Sequence, residues 1–174
     1  MVRAKDAISI YQCLFSEAIP VWLTGGWGID ALLQEQTRPH KDLDIIILLE
    51  DAIRMREPLE RDGYQLKKLW SENGWVKDRS GAETPTAFVL QDSEYRQIDV
   101  HAIRIDDQGN GIPAWKNEEG LIFEKEDLSG DGSIMGVEVP CITPSMQVAC
   151  HTGYDLPDFQ THDMELLLQR FSIG

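Results

Sequence analysis

Apolar residues recur at Ala7, Ile10, Tyr11, Leu14, Phe15 and Ala18, a stripe at helical spacing that predicts an amphipathic first helix over Ala4 to Ala18, stopped by Pro20. Val21-Trp22-Leu23 then reads as a short strand, Gly25-Gly26 as a turn, and Trp27 to Leu33 as a second helix. Leu43 to Leu49 is a continuous aliphatic run, the pattern of a strand buried on both faces near the middle of a sheet. A helix from Asp51 to about Arg61 follows, interrupted by Pro58 and ended by Gly63.

Tyr64 to Trp70, Trp75 to Arg79, Thr86 to Leu90 and Tyr95 to Ile103 read as strands joined by the turns Asn73-Gly74, Ser80-Gly81 and Asp92-Ser93. Shorter strands are expected around Leu121 to Phe123 and Ile134 to Val139. Thr143-Pro144 opens a helix to about Thr152, and Thr161 can cap a last helix with Met164, Leu167, Leu168 and Phe171 on its apolar face. The expected class is α/β (α+β): a mixed, largely antiparallel sheet flanked by helices, with C-terminal helices. The chain reads as one domain over 1–174, in which 143–174 is a C-terminal helical appendage.

The 174 residues carry 30 acidic against 16 basic side chains, a net charge of −14, which disfavours an extended nucleic-acid partner and leaves two readings, solubility or attraction to a cationic partner. Glu83, Asp92, Glu94, Asp106 and Asp107 are candidates for that attraction, or ordinary surface charges. Three cysteines without close pairing, no signal-peptide pattern and no apolar run of bilayer length predict a cytoplasmic protein with no membrane partner.

Asp42 and Asp44 stand two residues apart at a strand entrance, so both carboxylates point to one face. Such a pair suits magnesium, although solvated surface acids share the pattern. Asp99 lies in the alternating segment Gln97-Ile98-Asp99-Val100-His101; if its strand neighbours the first, three acids can hold two magnesium ions, and otherwise Asp99 is a solvent-facing edge residue. Thr24-Gly25-Gly26-Trp27-Gly28 offers backbone N–H groups and a helix start to a phosphate, or is simply a tight turn. His101 faces the same side as Asp99 and reads as a hydrogen-bonded structural histidine or as one that binds substrate or orders the third acid; His151 and His162 read as packing or capping histidines, and Trp22, Trp27 and Trp75 as core or cleft-wall residues.

The segments Leu23-Thr24-Gly25-Gly26-Trp27-Gly28-Ile29-Asp30-Ala31-Leu32-Leu33 and Thr37-Arg38-Pro39-His40-Lys41-Asp42-Leu43-Asp44, with Thr143-Pro144, His151-Thr152-Gly153-Tyr154 and Thr161 to Leu167, closely resemble the small antibiotic nucleotidyltransferases. These comprise lincosamide nucleotidyltransferases and aminoglycoside 2''-adenylyltransferases, within the DNA polymerase β-like superfamily. The resemblance implies a nucleotidyltransferase sheet and transfer of a nucleoside monophosphate, AMP from ATP foremost, to a hydroxyl of a small acceptor, with release of pyrophosphate. It implies magnesium ligation by Asp42, Asp44 and Asp99, with Asp99 as metal ligand, proton acceptor or both. Gly25 and Gly26 are implied to approach the triphosphate, Arg38 and Lys41 to supply positive charge, and His40 to contact phosphate or orient the loop. Separately, 174 residues leave little room for an enclosing helical lobe, so a homodimer is expected to complete the acceptor cleft. Two alternatives stand beside this reading: modification of a protein or RNA hydroxyl, and a non-catalytic nucleotide-binding module.

Overall fold

The computed structural model describes residues 1–77, 81–116, 120–152 and 155–173. The first amphipathic stretch forms α1 (Ala4–Ser16), which buries Ala7, Ile10 and Leu14. Its N-terminus is closed by Asp6, whose carboxylate accepts from the Arg3 backbone N–H at 3.0 Å. Strand β1 (Val21–Thr24) runs directly into α2 (Gly25–Leu33). Helix α2 therefore starts two residues earlier than expected, and the paired glycines form its first turn rather than a loop before it.

Strand β2 (Asp42–Leu48) ends in a short 3-10 turn, and α3 (Arg56–Arg61) follows. The longer helix expected from Asp51 is thus divided. Pro58 sits in the first turn of α3, where a missing N–H loses no helical partner, while its ring excludes a helical carbonyl four residues upstream.

Next come β3 (Gln65–Leu69), β4 (Trp75–Lys77), β5 (Glu83–Pro85), β6 (Ala87–Gln91), β7 (Gln97–Ile105) and β8 (Gly111–Pro113). The expected continuation of β4 through Asp78 and Arg79, and Ser80 of its turn, lie outside the described residues, as do Gly153 and Tyr154. Phe123 makes only an isolated bridge to Gly111. The single strand expected over Ile134 to Val139 is instead the junction of β9 (Gly130–Ile134) and β10 (Val137–Cys141), turned by Met135 and Gly136 at φ 50° and 80°.

Helix α4 (Pro144–Ala149) has the anticipated cap, with Thr143 Oγ1 accepting from the Met146 N–H at 3.3 Å. Helix α5 (Asp158–Phe171) begins three residues before Thr161, whose hydroxyl donates to the Pro157 carbonyl at 3.4 Å instead of capping the helix.

The main sheet has the order β3-β6-β7-β2-β1-β10-β9, with β8 beside β7, and β4 pairs β5 separately. The β2–β7 and β1–β10 pairs are parallel and the others antiparallel. Alternation then sorts β2 and β7 into two faces. Leu43, Ile45 and Ile47, with Ile98, Val100 and Ala102, join the large apolar cluster that also takes Leu14, Trp27, Leu59, Met164 and Leu167 from the helices. On the opposite face, Ile46 and Ile103 pack with Phe123, Ile142 and Met146, and this face carries the acids.

Leu167 ties α5 to the main core and is fully buried. Leu167→Ala is expected to destabilise the protein by about 2–5 kcal/mol, read as a lower urea midpoint at unchanged slope. A midpoint unchanged within error would mean that α5 does not belong to the cooperative unit.

Candidate active site

Parallel pairing sets Asp99 of β7 directly beside Asp44 of β2, and antiparallel pairing sets Thr24 of β1 on the other side of Asp44. Side chains at paired positions share a face, so Asp42, Asp44 and Asp99 project together, next to the start of α2. The sheet register therefore assembles what the sequence spacing suggested.

Both glycines are required by close approach. Gly25 has φ +57°, and a Cβ there would run into the Asp44 carboxylate. A Cβ on Gly26 would strike the His40 imidazole and come within 3.2 Å of the Arg38 guanidinium.

His40 is buried and bonds through Nε2 to Asp30, while its ring lies 4.8 Å from Trp27. Asp30 also accepts from the Thr37 N–H at 3.1 Å and the Thr37 hydroxyl at 2.7 Å. Of the two roles open to His40, this geometry supports orientation of the 37–41 loop.

The acids lie in an unfavourable electrostatic setting. Burial, followed by the charge of Asp42, pushes the Asp99 carboxyl up to about 6. Burial raises the Asp44 carboxyl well above the usual range, with the charges of Asp42 and Asp99 adding to it. Asp99 Oδ1 is buried and has no hydrogen-bond partner among the described residues. Among the described residues, no three His, Cys, Asp or Glu side chains are drawn close enough to enclose a metal ion. The ligand set is thus open, as mutual repulsion requires. Hard oxygen donors on one face, one of them a buried orphan, fit magnesium in donor chemistry and in charge.

The two predicted cations differ. Arg38 donates to Asp163 of α5 through Nε at 3.0 Å and through its second terminal nitrogen at 2.7 Å, and its guanidinium stacks 4.7 Å above the Phe159 ring. Asp163 is only 1% exposed, so Arg38 is held by a fixed partner. The Lys41 side chain is 74% exposed, with its ammonium 4.0 Å from Asp42.

A cleft of about 970 Å³ joins these groups to a second, less polar region. Gly25, Gly26, Arg38, Lys41, Asp42 and Asp44 line one part of it, and Ile46, Glu72, His101, Trp115, Leu121 and Phe123 line another. His101 Nε2 lies 3.1 Å from Glu72, and the edge-on Trp115 ring is 4.9 Å away. Burial alone would raise the Glu72 carboxyl, but hydrogen bonds from backbone, His101 and Ser71 outweigh it and hold the group below its usual range.

The acids expected to attract an amine are placed differently. None of Glu83, Asp92, Glu94, Asp106 and Asp107 is among the cleft-lining residues; Asp92 is buried against Arg96, and Asp106 accepts from the Asn110 side chain at 3.1 Å in a turn. Trp75, expected in the core or cleft wall, is 52% exposed. His151 bonds the Gln147 carbonyl at 2.7 Å at the cleft edge, and the His162 side chain is 61% exposed. Glu72, Trp115, Phe159 and Asp163 were not singled out from the sequence. Only Phe159 and Asp163 had a detectable signal, an i,i+4 aromatic and acid on one helix face.

The raised Asp99 carboxyl has a consequence for stability. Between its ordinary value near 4 and about 6, the folded state holds a proton that the unfolded state has lost, so metal-free stability falls as pH rises through that window. In chelator, Asp99→Asn is expected to be more stable than the native chain at pH 8, by up to about 3 kcal/mol, with the gap closing below pH ~4. Thermal midpoints across pH check this; a less stable Asp99→Asn at pH 8 would contradict it.

Comparison with known proteins finds relatives that span nearly the whole chain. Residues 6–167 match the family model for aminoglycoside-2''-adenylyltransferase. The lincosamide resistance protein of Staphylococcus haemolyticus is 27% identical over 166 residues, covering 95% of this chain and 94% of that protein. A crystal structure of the lincosamide antibiotic adenylyltransferase LnuA with lincomycin bound superposes with a TM-score of 0.78 at 27% identity, over 95% of this chain and 96% of that one. ANT(2'')-Ia in complex with adenylyl-2''-tobramycin shares the fold at a TM-score of 0.70 and 18% identity, covering 98% and 90% of the two chains. A mixed nucleotidyltransferase sheet with acids and glycine turn in register, matched along nearly its whole length, places the chain in the aminoglycoside-2''-adenylyltransferase family.

Proposed function

We propose that the chain transfers AMP from ATP to a hydroxyl of a small antibiotic acceptor of the lincosamide or aminoglycoside type and releases pyrophosphate. The observation that carries this reading is the register that sets Asp99 beside Asp44, across from the glycine start of α2. Membership of an adenylyltransferase family supports ATP as the donor.

In the proposed reaction the acceptor oxygen bonds to the α-phosphorus as the bond from that phosphorus to the pyrophosphate oxygen breaks. Asp99, set beside Asp44 by the strand register, takes the hydroxyl proton directly or through water. Gly25 and Gly26 let the triphosphate approach the N-terminus of α2, where free N–H groups favour negative charge. Arg38, held by Asp163, and Lys41 face the departing phosphates. Asp42, Asp44 and Asp99 would hold magnesium, two ions in the full proposal, which supplies positive charge against the phosphates and the ionising hydroxyl.

The same reading treats 1–174 as a single catalytic domain, with 143–174 contributing Asp163 to the nucleotide end. It takes ATP supply and unpaired cysteines as fitting a cytoplasmic setting. A homodimer that walls the open side of the cleft belongs to the proposal; sedimentation showing an active monomer at every concentration would remove it.

Magnesium-dependent pyrophosphate release is expected with ATP and an acceptor from a panel of lincosamides and aminoglycosides. Asp42→Asn should cut turnover by roughly a hundred- to a thousandfold, by analogy with the loss of a preorganised electrostatic group. Turnover that survives Asp42→Asn, or that ignores chelation, would refute the assignment. Asp163→Asn is expected to raise KM for ATP several-fold, with KM for the acceptor unchanged; the reverse split in steady-state kinetics would remove Arg38 from the nucleotide end.

A further inference from the structure

The less polar end of the cleft contains a carboxylate that the transfer chemistry does not use. Glu72 lies in the turn after β3, and that turn is held from several sides. The Glu72 carbonyl accepts from the Lys116 N–H at 2.8 Å, and the neighbouring Asn73 side chain accepts from the N–H groups of Thr86 and Ala87 at 2.9 and 3.2 Å. Its carboxylate takes hydrogen bonds from the Ser71 hydroxyl at 3.1 Å and from His101 at 3.1 Å, yet the side chain remains 34% exposed. A fixed, partly open carboxylate retains lone pairs for an incoming donor.

Beside it stands an aromatic wall. Trp115 meets the His101 ring edge-on and lies 6.4 Å from Phe123 at 66°, with Ile46 and Leu121 completing the apolar lining. His101 is two residues along β7 from Asp99, so this wall shares the face of the sheet on which the acceptor hydroxyl must present itself. One carboxylate against aromatic surface matches a molecule with a protonated amine on an apolar flank. The charge pairs with the partly open acid, and the flank removes aromatic surface from water.

We propose that Glu72 is a specificity-determining residue of the acceptor site, anchoring the protonated amine of an amphiphilic acceptor whose apolar part packs on Trp115 and Phe123. This inference rests on the adenylyl-transfer reading for the hydroxyl end of the acceptor. It identifies a contact remote from the reacting atoms, so its energy is felt in binding rather than in the bond-making step.

Lincomycin, which carries an amine and an alkyl chain, is the probe. Glu72→Gln keeps the shape and one of the two acceptor oxygens, which Ser71 and His101 contact separately, while removing the charge. In steady-state kinetics it should raise KM for lincomycin about ten- to a hundredfold, the range for a lost charged hydrogen bond, with kcat and KM for ATP held within about twofold. Added salt should weaken lincomycin binding to the native chain and leave Glu72→Gln largely unaffected, a distinction that a purely structural role would not produce. Calorimetry with magnesium and a non-hydrolysable ATP analogue measures lincomycin binding independently of turnover. Native turnover with an unchanged KM in Glu72→Gln overturns the inference and leaves the transfer reading standing. Glu72-dependent binding without turnover supports the subsite and removes lincomycin from the acceptors of the transfer reading; a native chain that neither binds nor turns over lincomycin overturns the inference.

Discussion

Three carboxylates are held on one face of the sheet by strand pairing. Asp44 and Asp99 are paired positions of neighbouring strands, and Asp42 follows by alternation, so the acids cannot turn away without disturbing the central pair of the sheet. Burial and mutual repulsion then raise two of them, and one oxygen is left without a partner among the described residues. An arrangement so costly to the metal-free fold persists because the opposite sides of the same strands carry Ile45, Ile47 and Val100 into the main core. The stability of the apolar face holds the charged face together, and in the proposed function that charged face takes cations and phosphate.

Around that constraint the other elements have defined tasks. The start of α2 lies so close to Asp44 at Gly25, and to His40 at Gly26, that no side chain fits at either position. The buried Asp30–His40 pair fixes the loop that leads into β2. Helix α5 closes over this end of the cleft and, through Asp163 and Phe159, fixes the direction of Arg38. A cation beside the paired glycines is thus positioned by an acid from the last helix.

Much of this was legible in the sequence because it depends on local periodicity. The isoleucine run of β2, the two-residue spacing of Asp42 and Asp44, and the alternation around Asp99 each specify a face without knowledge of the fold. The glycine pair was legible as a close-approach element, although its place inside α2 was not, since glycine patterns alone do not separate a turn from a helix start. What was missed depends on long-range placement. Glu72 in a turn and Trp115 after a short strand reach the cleft only through the order β6-β7-β2, and Asp163 finds Arg38 across 125 residues. The Met135–Gly136 turn was hidden inside an apolar run, and Pro58 divided α3 from its predecessor by excluding a single carbonyl position.

Adenylyl transfer makes a bond to the α-phosphorus and to no other, so the most direct test follows the label. With magnesium and an acceptor that supports turnover, the radioactivity of ATP labelled at the α-phosphate should appear on the acceptor, and that of ATP labelled at the γ-phosphate in pyrophosphate. Label from the γ-phosphate on the acceptor, or no transfer of the α-label to any acceptor while nucleotide still binds, would contradict the account.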